Sequence, residues 1–213
     1  MPDIFVSKNS NLQKALTRQG KIMKALGQTK LPARFINKTS NRLTALAPFP
    51  DGVSFETQGL DEPIVLLLRP HPLTNSGWII LAILLILGPL VLPLTPLLNL
   101  LPLKFIMVLN MLWYLLTLSF IFEKFLGWFF NIFIITDERV IDVDFYSFTY
   151  KEVSEAALGK IEDISYTTGG LFGSVLDFGT VSIQTAGEKP NIEFENVPHP
   201  AQVVAVLRAV INQ

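Results

Sequence analysis

The sequence predicts a membrane α + β protein: a two-helix transmembrane hairpin, then a small antiparallel β-barrel with a C-terminal capping helix, preceded by an N-terminal arm that is partly helical or disordered. Three observations predict this. Between Arg69 and Lys104 there is no Asp, Glu, Lys or Arg, and most residues are Leu, Ile, Val, Pro or Phe. After Phe130 the chain changes to short alternating segments separated by turns. The net charge of -1 conceals nine Lys and Arg with no acid over residues 8–42, against twelve Asp and Glu and five Lys and Arg over residues 131–213. The expected division is a basic arm and linker at 1–60, a juxtamembrane segment with two spans at 61–130, and an acidic domain at 131–213.

About 20 apolar residues at roughly 1.5 Å each carry a helix across a hydrocarbon core of roughly 30 Å. Residues 78–98 supply one span and 105–126 the second. Pro89, Pro93 and Pro96 strain the first helix, Asn99 and Pro102 end it, and Lys104 returns the chain to water. So short a connection makes the spans antiparallel, with both flanks on one side. Trp78 and Trp128 fit an aromatic belt, whereas Trp113 and Tyr114 lie too deep for one. Asn110 is a candidate hydrogen-bonding contact between the helices. No ionisable residue lies deep in either span, so a transport pathway is not implied. Arg69, Lys124 and Arg139 flank the hairpin against Lys104 in the loop, which places both termini in the cytoplasm and the protein in the cell membrane as a multi-pass chain.

The first sixty residues lack the apolar core of a secretory signal. Residues 11–28 have helical periodicity, with Leu12, Ala15, Leu16, Ile22, Met23 and Leu26 on one side and Lys14, Arg18, Lys21 and Lys24 on the other. Gly20 weakens that helix by roughly 1 kcal/mol relative to Ala. The four cations are candidate membrane-surface contacts. They serve equally well as a disordered topological tail or as a partner for the acidic domain of the same chain. Residues 47–60, with Pro48, Pro50, Gly52 and Gly59, read as a linker, and residues 64–68 as a short apolar strand or turn.

In the acidic domain, residues 131–135 and 140–145 flank a polar turn and form a hairpin. Further strands are expected at 148–153, 160–168, 178–185 and 191–197, with turns at Leu171-Phe172-Gly173 and at 186–190. Residues 201–211 place Val203, Val204, Leu207, Val210 and Ile211 on a helical stripe entered through Pro198 and Pro200.

The order Thr136-Asp137-Glu138-Arg139-Val140-Ile141, Lys160-Ile161-Glu162-Asp163-Ile164, Asp177-Phe178-Gly179-Thr180-Val181 through Thr185-Ala186-Gly187, then Asn196-Val197-Pro198 resembles the bacterial pleckstrin-homology-like domain of the YdbS and YdbT type. Proteins of that type place two transmembrane helices directly before the domain. The resemblance covers residues 61–213 and implies a cytoplasmic pleckstrin-homology (PH) barrel, with no defined biochemical role.

Catalysis is not expected. His71 and His199 have no spaced companions, Glu162 and Asp163 point to opposite faces of a strand, and Gly169, Gly170 and Gly173 are turn glycines without a following Lys-Ser or Lys-Thr. Asp142 and Asp144 form one alternating strand face, not a metal site. The absence of cysteine excludes disulfides and thiolate chemistry. No cofactor and no nucleic acid is expected; the expected partners are the lipid bilayer and a protein partner or a second copy. Two noncatalytic functions follow: a docking or scaffold module for proteins, or a sensor of anionic lipid acting through the arm or the domain. Binding of lipid headgroups by the domain needs a basic pocket, usually near the first hairpin. Here that turn carries Asp137 and Glu138 beside Arg139, which favours protein docking.

Overall fold

The computed structural model describes residues 3–28, 31–32, 35, 43–50, 53–59, 61–91, 102–147, 150–186 and 191–212. Its elements are α1 (Asp3–Gln28), β1 (Leu46–Pro48), β2 (Ile64–Leu68), a 3-10 turn (Pro72–Asn75), α2 (Ser76–Val91), α3 (Leu103–Phe130), β3 (Ile132–Thr136), β4 (Arg139–Ser147), β5 (Tyr150–Ala157), a second 3-10 turn (Leu158–Lys160), β6 (Ile161–Thr167), α4 (Gly170–Leu176), β7 (Phe178–Thr185), β8 (Ile192–Pro198) and α5 (Pro200–Ile211).

The strands form two sheets, ordered β1-β2-β3-β4-β5 and β6-β7-β8, with every neighbouring pair antiparallel. The expected closed barrel is therefore corrected to two sheets with an open seam. The reason is chemical: the row of β4 that faces the interior runs from Val140 to Asp142 and Asp144, and closing the seam would bury two carboxylates without partners. A second correction concerns the turn expected at Leu171-Phe172-Gly173, which lies within α4. After it β7 passes so close to β6 that a Cβ on Gly179 would stand 2.2 Å from the Thr167 carbonyl oxygen.

Residues on both sides of the helical hairpin build the first sheet. Leu66, Leu67 and Leu68 of β2 pair with Ile135, Ile134 and Phe133 of β3, so α2 and α3 are inserted between adjacent strands. β1, within the expected linker, extends the same sheet. β2 and β3 are covered on both faces, which is why they read as continuous apolar runs instead of alternating ones. On the inner face Phe133, Ile135 and Val140 meet Val181, Ile183 and Phe194 of the second sheet and Val203, Leu207 and Val210 of α5. On the outer face Ile64, Ile134 and Ile141 lie under Val53 and Phe55.

α1 runs further towards the N-terminus than the periodicity indicated. Ile22 and Leu26 enter the main core, and that tertiary packing offsets the weak intrinsic propensity of a segment containing Gly20. Leu16, on the same expected stripe, is exposed.

α2, with its leading turn, and α3 are long and apolar enough to cross a membrane. Their contact is organised by Pro89, which has no N–H for the Leu85 carbonyl one turn earlier. The Trp113 indole Nε1 donates to that carbonyl instead, at 2.8 Å, and its ring passes 3.1 Å from where a Cβ on Gly88 would stand. Tyr114 donates to the Ile86 carbonyl at 3.4 Å. Trp113, too deep for a belt, thus has an internal role. Asn110, one turn earlier on α3, is half-buried, and among the described residues its side chain has no partner. Pro93, Pro96 and Asn99 of the connection lie outside the described residues.

The helical hairpin is fastened to the sheet by Arg69, at the end of β2. Its Nε donates to the Phe129 carbonyl at 3.0 Å and its Nη1 to the Thr44 carbonyl at 3.2 Å, with the guanidinium over the Phe129 ring. A cation at the C-terminus of α3 also meets the negative end of the helix dipole. Trp128 Nε1 donates to the Pro70 carbonyl beside it.

Candidate functional site: an acidic cleft in the seam

Side chains alternate along a strand, so Val140, Asp142, Asp144 and Tyr146 share one face of β4. Opposite Val140, Asp142 and Asp144 in register stand Ala156, Ser154 and Glu152 of β5; the register then shifts at Tyr146, and Tyr150 at the strand tip pairs with Ser147. The face therefore changes from apolar to acidic to aromatic along its length. β8 crosses its open side, where Glu193 and Glu195 alternate with the buried Ile192 and Phe194. Together these strands enclose a cleft of about 630 Å³ that also reaches Arg69, Pro70 and Asn131 at the root of the helical hairpin.

Among the described residues, no ion pair involves the carboxylates of the cleft. Burial, then the neighbouring charges of Asp144 and Glu152, push Asp142 up from 3.8 to about 7. Asp144 is also raised, by burial and then by Glu152 and Glu195. Such a site attracts cations. Among the described residues, however, no three acidic or imidazole side chains converge closely enough to hold a metal ion. Among the described residues β8 is the outer strand of its sheet; at its C-terminal end the Asn196 carbonyl accepts from the His71 N–H.

Glu62, Glu155, Asp137 and Glu138, by contrast, have cationic partners within the chain. Glu62 is buried and accepts from Arg139 Nε and Nη2 at 3.0 Å each and from the Gly59 N–H at 2.9 Å. Burial alone would raise its pKa, but these bonds hold the carboxyl below its ordinary value. Arg139 also reaches Glu155 at 2.7 Å and the Thr57 carbonyl at 2.6 Å, pinning the segment before β2 to the first sheet.

Of the arm's four candidate contacts, Arg18 turns inward to the chain, at 3.2 Å from Asp137 and 2.9 Å from Glu138 on the β3–β4 turn. Burial of Asp137 outweighs that contact and leaves its carboxyl raised. Lys14, Lys21 and Lys24 are exposed. The two histidines, with 127 residues between them in sequence, come together. His71 stacks on Phe178 and donates its backbone N–H to the Asn196 carbonyl, while His199 Nδ1 meets Asp177. Burial, and then the charge of His199, lower the His71 pKa. This cluster holds the segment before α2 to the start of α5.

The bacterial PH domain family matches residues 77–211, a segment that takes in both apolar helices and everything after them. The chain belongs to that family. A crystal structure of a DUF1696 family protein with a pleckstrin-homology domain, from Shewanella loihica PV-4, is similar over 38% of this chain and 68% of its own, at 24% identity and a TM-score of 0.28. No curated protein matches the chain.

In this PH domain, β1 and β2 lie before the matched segment yet complete its first sheet. The turn of the β3–β4 hairpin is acidic and occupied by Arg18. The convergence of three strands on the PH domain's cleft escaped the sequence reading, although its signal was present. Acids recur at every second position in Asp142/Asp144 and Glu193/Glu195, on strands that otherwise carry apolar residues at those intervals.

Proposed function

We propose that the chain is a multi-pass integral membrane protein, with both termini cytoplasmic, whose PH domain is a noncatalytic docking or scaffold module for protein partners beside the bilayer. Integration is supported by the outward-facing surface of the hairpin: only 11% of the apolar window of the first helix and 6% of that of the second is buried. A soluble core helix would have most of that surface covered. Arg69 and Lys124 on the two-tailed side, against Lys104 in the connection, support the orientation.

The observation that carries the docking reading is the acidic cleft beside β8, the outer strand of its sheet among the described residues. An extended segment bearing Lys or Arg suits both features, adding backbone bonds to the edge and cations to the carboxylates. Cytoplasmic segments flanking membrane helices are rich in such residues, and the cleft opens at the root of this hairpin. Anionic headgroups would meet repulsion there. The exposed Lys14, Lys21 and Lys24 support a separate contact of α1 with anionic lipid.

A photocrosslinker on a Ser154→Cys variant of the full chain, in the membranes where it is expressed, tests the docking reading. The expected products are peptides containing Lys or Arg, lost when Asp144→Lys and Glu193→Lys are added. Crosslinks to lipid alone, or none, overturn it. Release of the protein by alkaline carbonate would overturn the membrane half.

A further inference from the structure

The described end of the β4–β5 hairpin presents an exposed aromatic pair. Tyr146 is 62% exposed and Tyr150 56%, and their rings lie 5.4 Å apart. Its position relative to α3 is fixed by two contacts: the Phe145 N–H donates to the Asn131 side-chain carbonyl at 2.5 Å, and the Phe145 ring lies 5.4 Å from that of Phe130. β4 then continues to Ser147 before the chain turns. At roughly 3.3 Å per residue, the tip extends about 7 Å or more back past Asn131, alongside the last turns of α3.

The depth of those turns can be read from their composition. α3 has 28 residues, about 42 Å at 1.5 Å each, which exceeds a hydrocarbon core of roughly 30 Å. Residues 105–122 are uncharged and cover about 27 Å. Glu123 and Lys124 then end the apolar stretch, and Phe125, Trp128, Phe129 and Phe130 follow. The last two turns of α3 thus have the length and composition of an interfacial belt, and the hairpin tip lies beside them.

We propose that Tyr146 and Tyr150 form an interfacial anchor that dips into the lipid headgroup region and holds the PH domain against the bilayer. This rests on the membrane reading of α2 and α3. Tyrosine suits the position because its ring is apolar and its hydroxyl remains wet. Lys151, opposite Phe145 on the other face of the hairpin, supplies a cation at the same level. On that other face the Phe145 ring packs 5.4 Å from Phe130 of α3, so aromatic side chains occupy both faces of the hairpin next to the helix. Three attachments, two helices and one hairpin tip, would fix the orientation of the acidic cleft to the membrane plane.

The chain has no cysteine, so single labels can be placed at will. Spin labels at Tyr146→Cys, Tyr150→Cys, Leu84→Cys on α2 and Lys160→Cys at the far end of the first sheet would be compared in the full chain reconstituted in liposomes. The readout is relaxation by oxygen against relaxation by a water-soluble nickel chelate. The expected result is that labels at 146 and 150 lose most nickel relaxation and gain oxygen relaxation, at a shallower depth than Leu84, while Lys160 remains aqueous. If 146 and 150 behave like Lys160 while Leu84 is in lipid, the anchor is wrong and the membrane reading stands. If Leu84 is also aqueous, both fall.

Discussion

The α2–α3 hairpin and the two sheets use the same alphabet of Leu, Ile, Val and Phe in opposite ways. In the sheets Ile135, Val140, Val181 and Ile183 are fully buried, whereas on α2 Ile80, Leu84 and Leu90 are more than half exposed. Hydrophobicity alone therefore does not say where a residue lies; the solvent each region meets does. The sheets gain stability by removing apolar area from water, at about 25 cal/mol per Å². The hairpin can gain in this way only by entering lipid.

The comparison breaks most visibly under truncation. Ile135→Ala in the core is expected to cost about 2–5 kcal/mol, read by chemical denaturation of the PH domain in the reconstituted protein. Leu84→Ala is expected to leave that transition unchanged, because the side chain touches little protein. Equal losses would mean that the hairpin is packed as a protein core. Charge sharpens the same contrast: Leu84→Arg is expected to oppose insertion by about 3 kcal/mol, reducing the carbonate-resistant fraction. An undiminished fraction would place that face in water.

The two helices of the hairpin were legible because each is a long apolar run almost free of charge, so local composition suffices. α5 was legible for a related reason, a complete apolar stripe after Pro200. The pairing of β2 with β3 was not, because more than sixty residues separate them and nothing local records a partner. β1 fell within a Pro-rich stretch, and its edge position tolerates Pro48. The cleft was half legible: alternation placed Asp142 and Asp144 on one face, but only the fold brings Glu193 and Glu195 across from them. For the arm, periodicity showed the helix and missed that Ile22 and Leu26 insert into the core while Arg18 meets Asp137 and Glu138.

Within the sheets, Asp142 is the residue that departs from the rule of burial. Unfolded, it ionises near 3.8; folded, at about 7. Its ionisation therefore disfavours the folded state progressively from about pH 4 to about 7 and by a constant amount above that range. Asp142→Asn is expected to stabilise the fold above pH 7 by about 2 kcal/mol after allowance for solvent screening, read as a higher thermal midpoint, and to have no effect below pH 4. The same variant should bind a Lys-rich segment less well. A midpoint unchanged at every pH would mean that the cleft is fully hydrated and its carboxylates ordinary.

The smallest expected effect tests how the hairpin holds itself together without a hydrophobic force between its helices. In lipid, packing and interhelical hydrogen bonds must do this. Pro89 leaves the Leu85 carbonyl without its helical donor, and Trp113 Nε1 takes that place at 2.8 Å over the gap left by Gly88. Trp113→Phe keeps most of the ring and removes only the donor, so it should cost about 1 kcal/mol in detergent-solubilised unfolding. Gly88→Leu should cost more, since its side chain would have to displace the indole. Pro89→Ala restores the missing N–H, so it should make Trp113→Phe nearly silent. If the two substitutions were additive instead, the indole would be packing against α2 without supplying the bond that the proline removes.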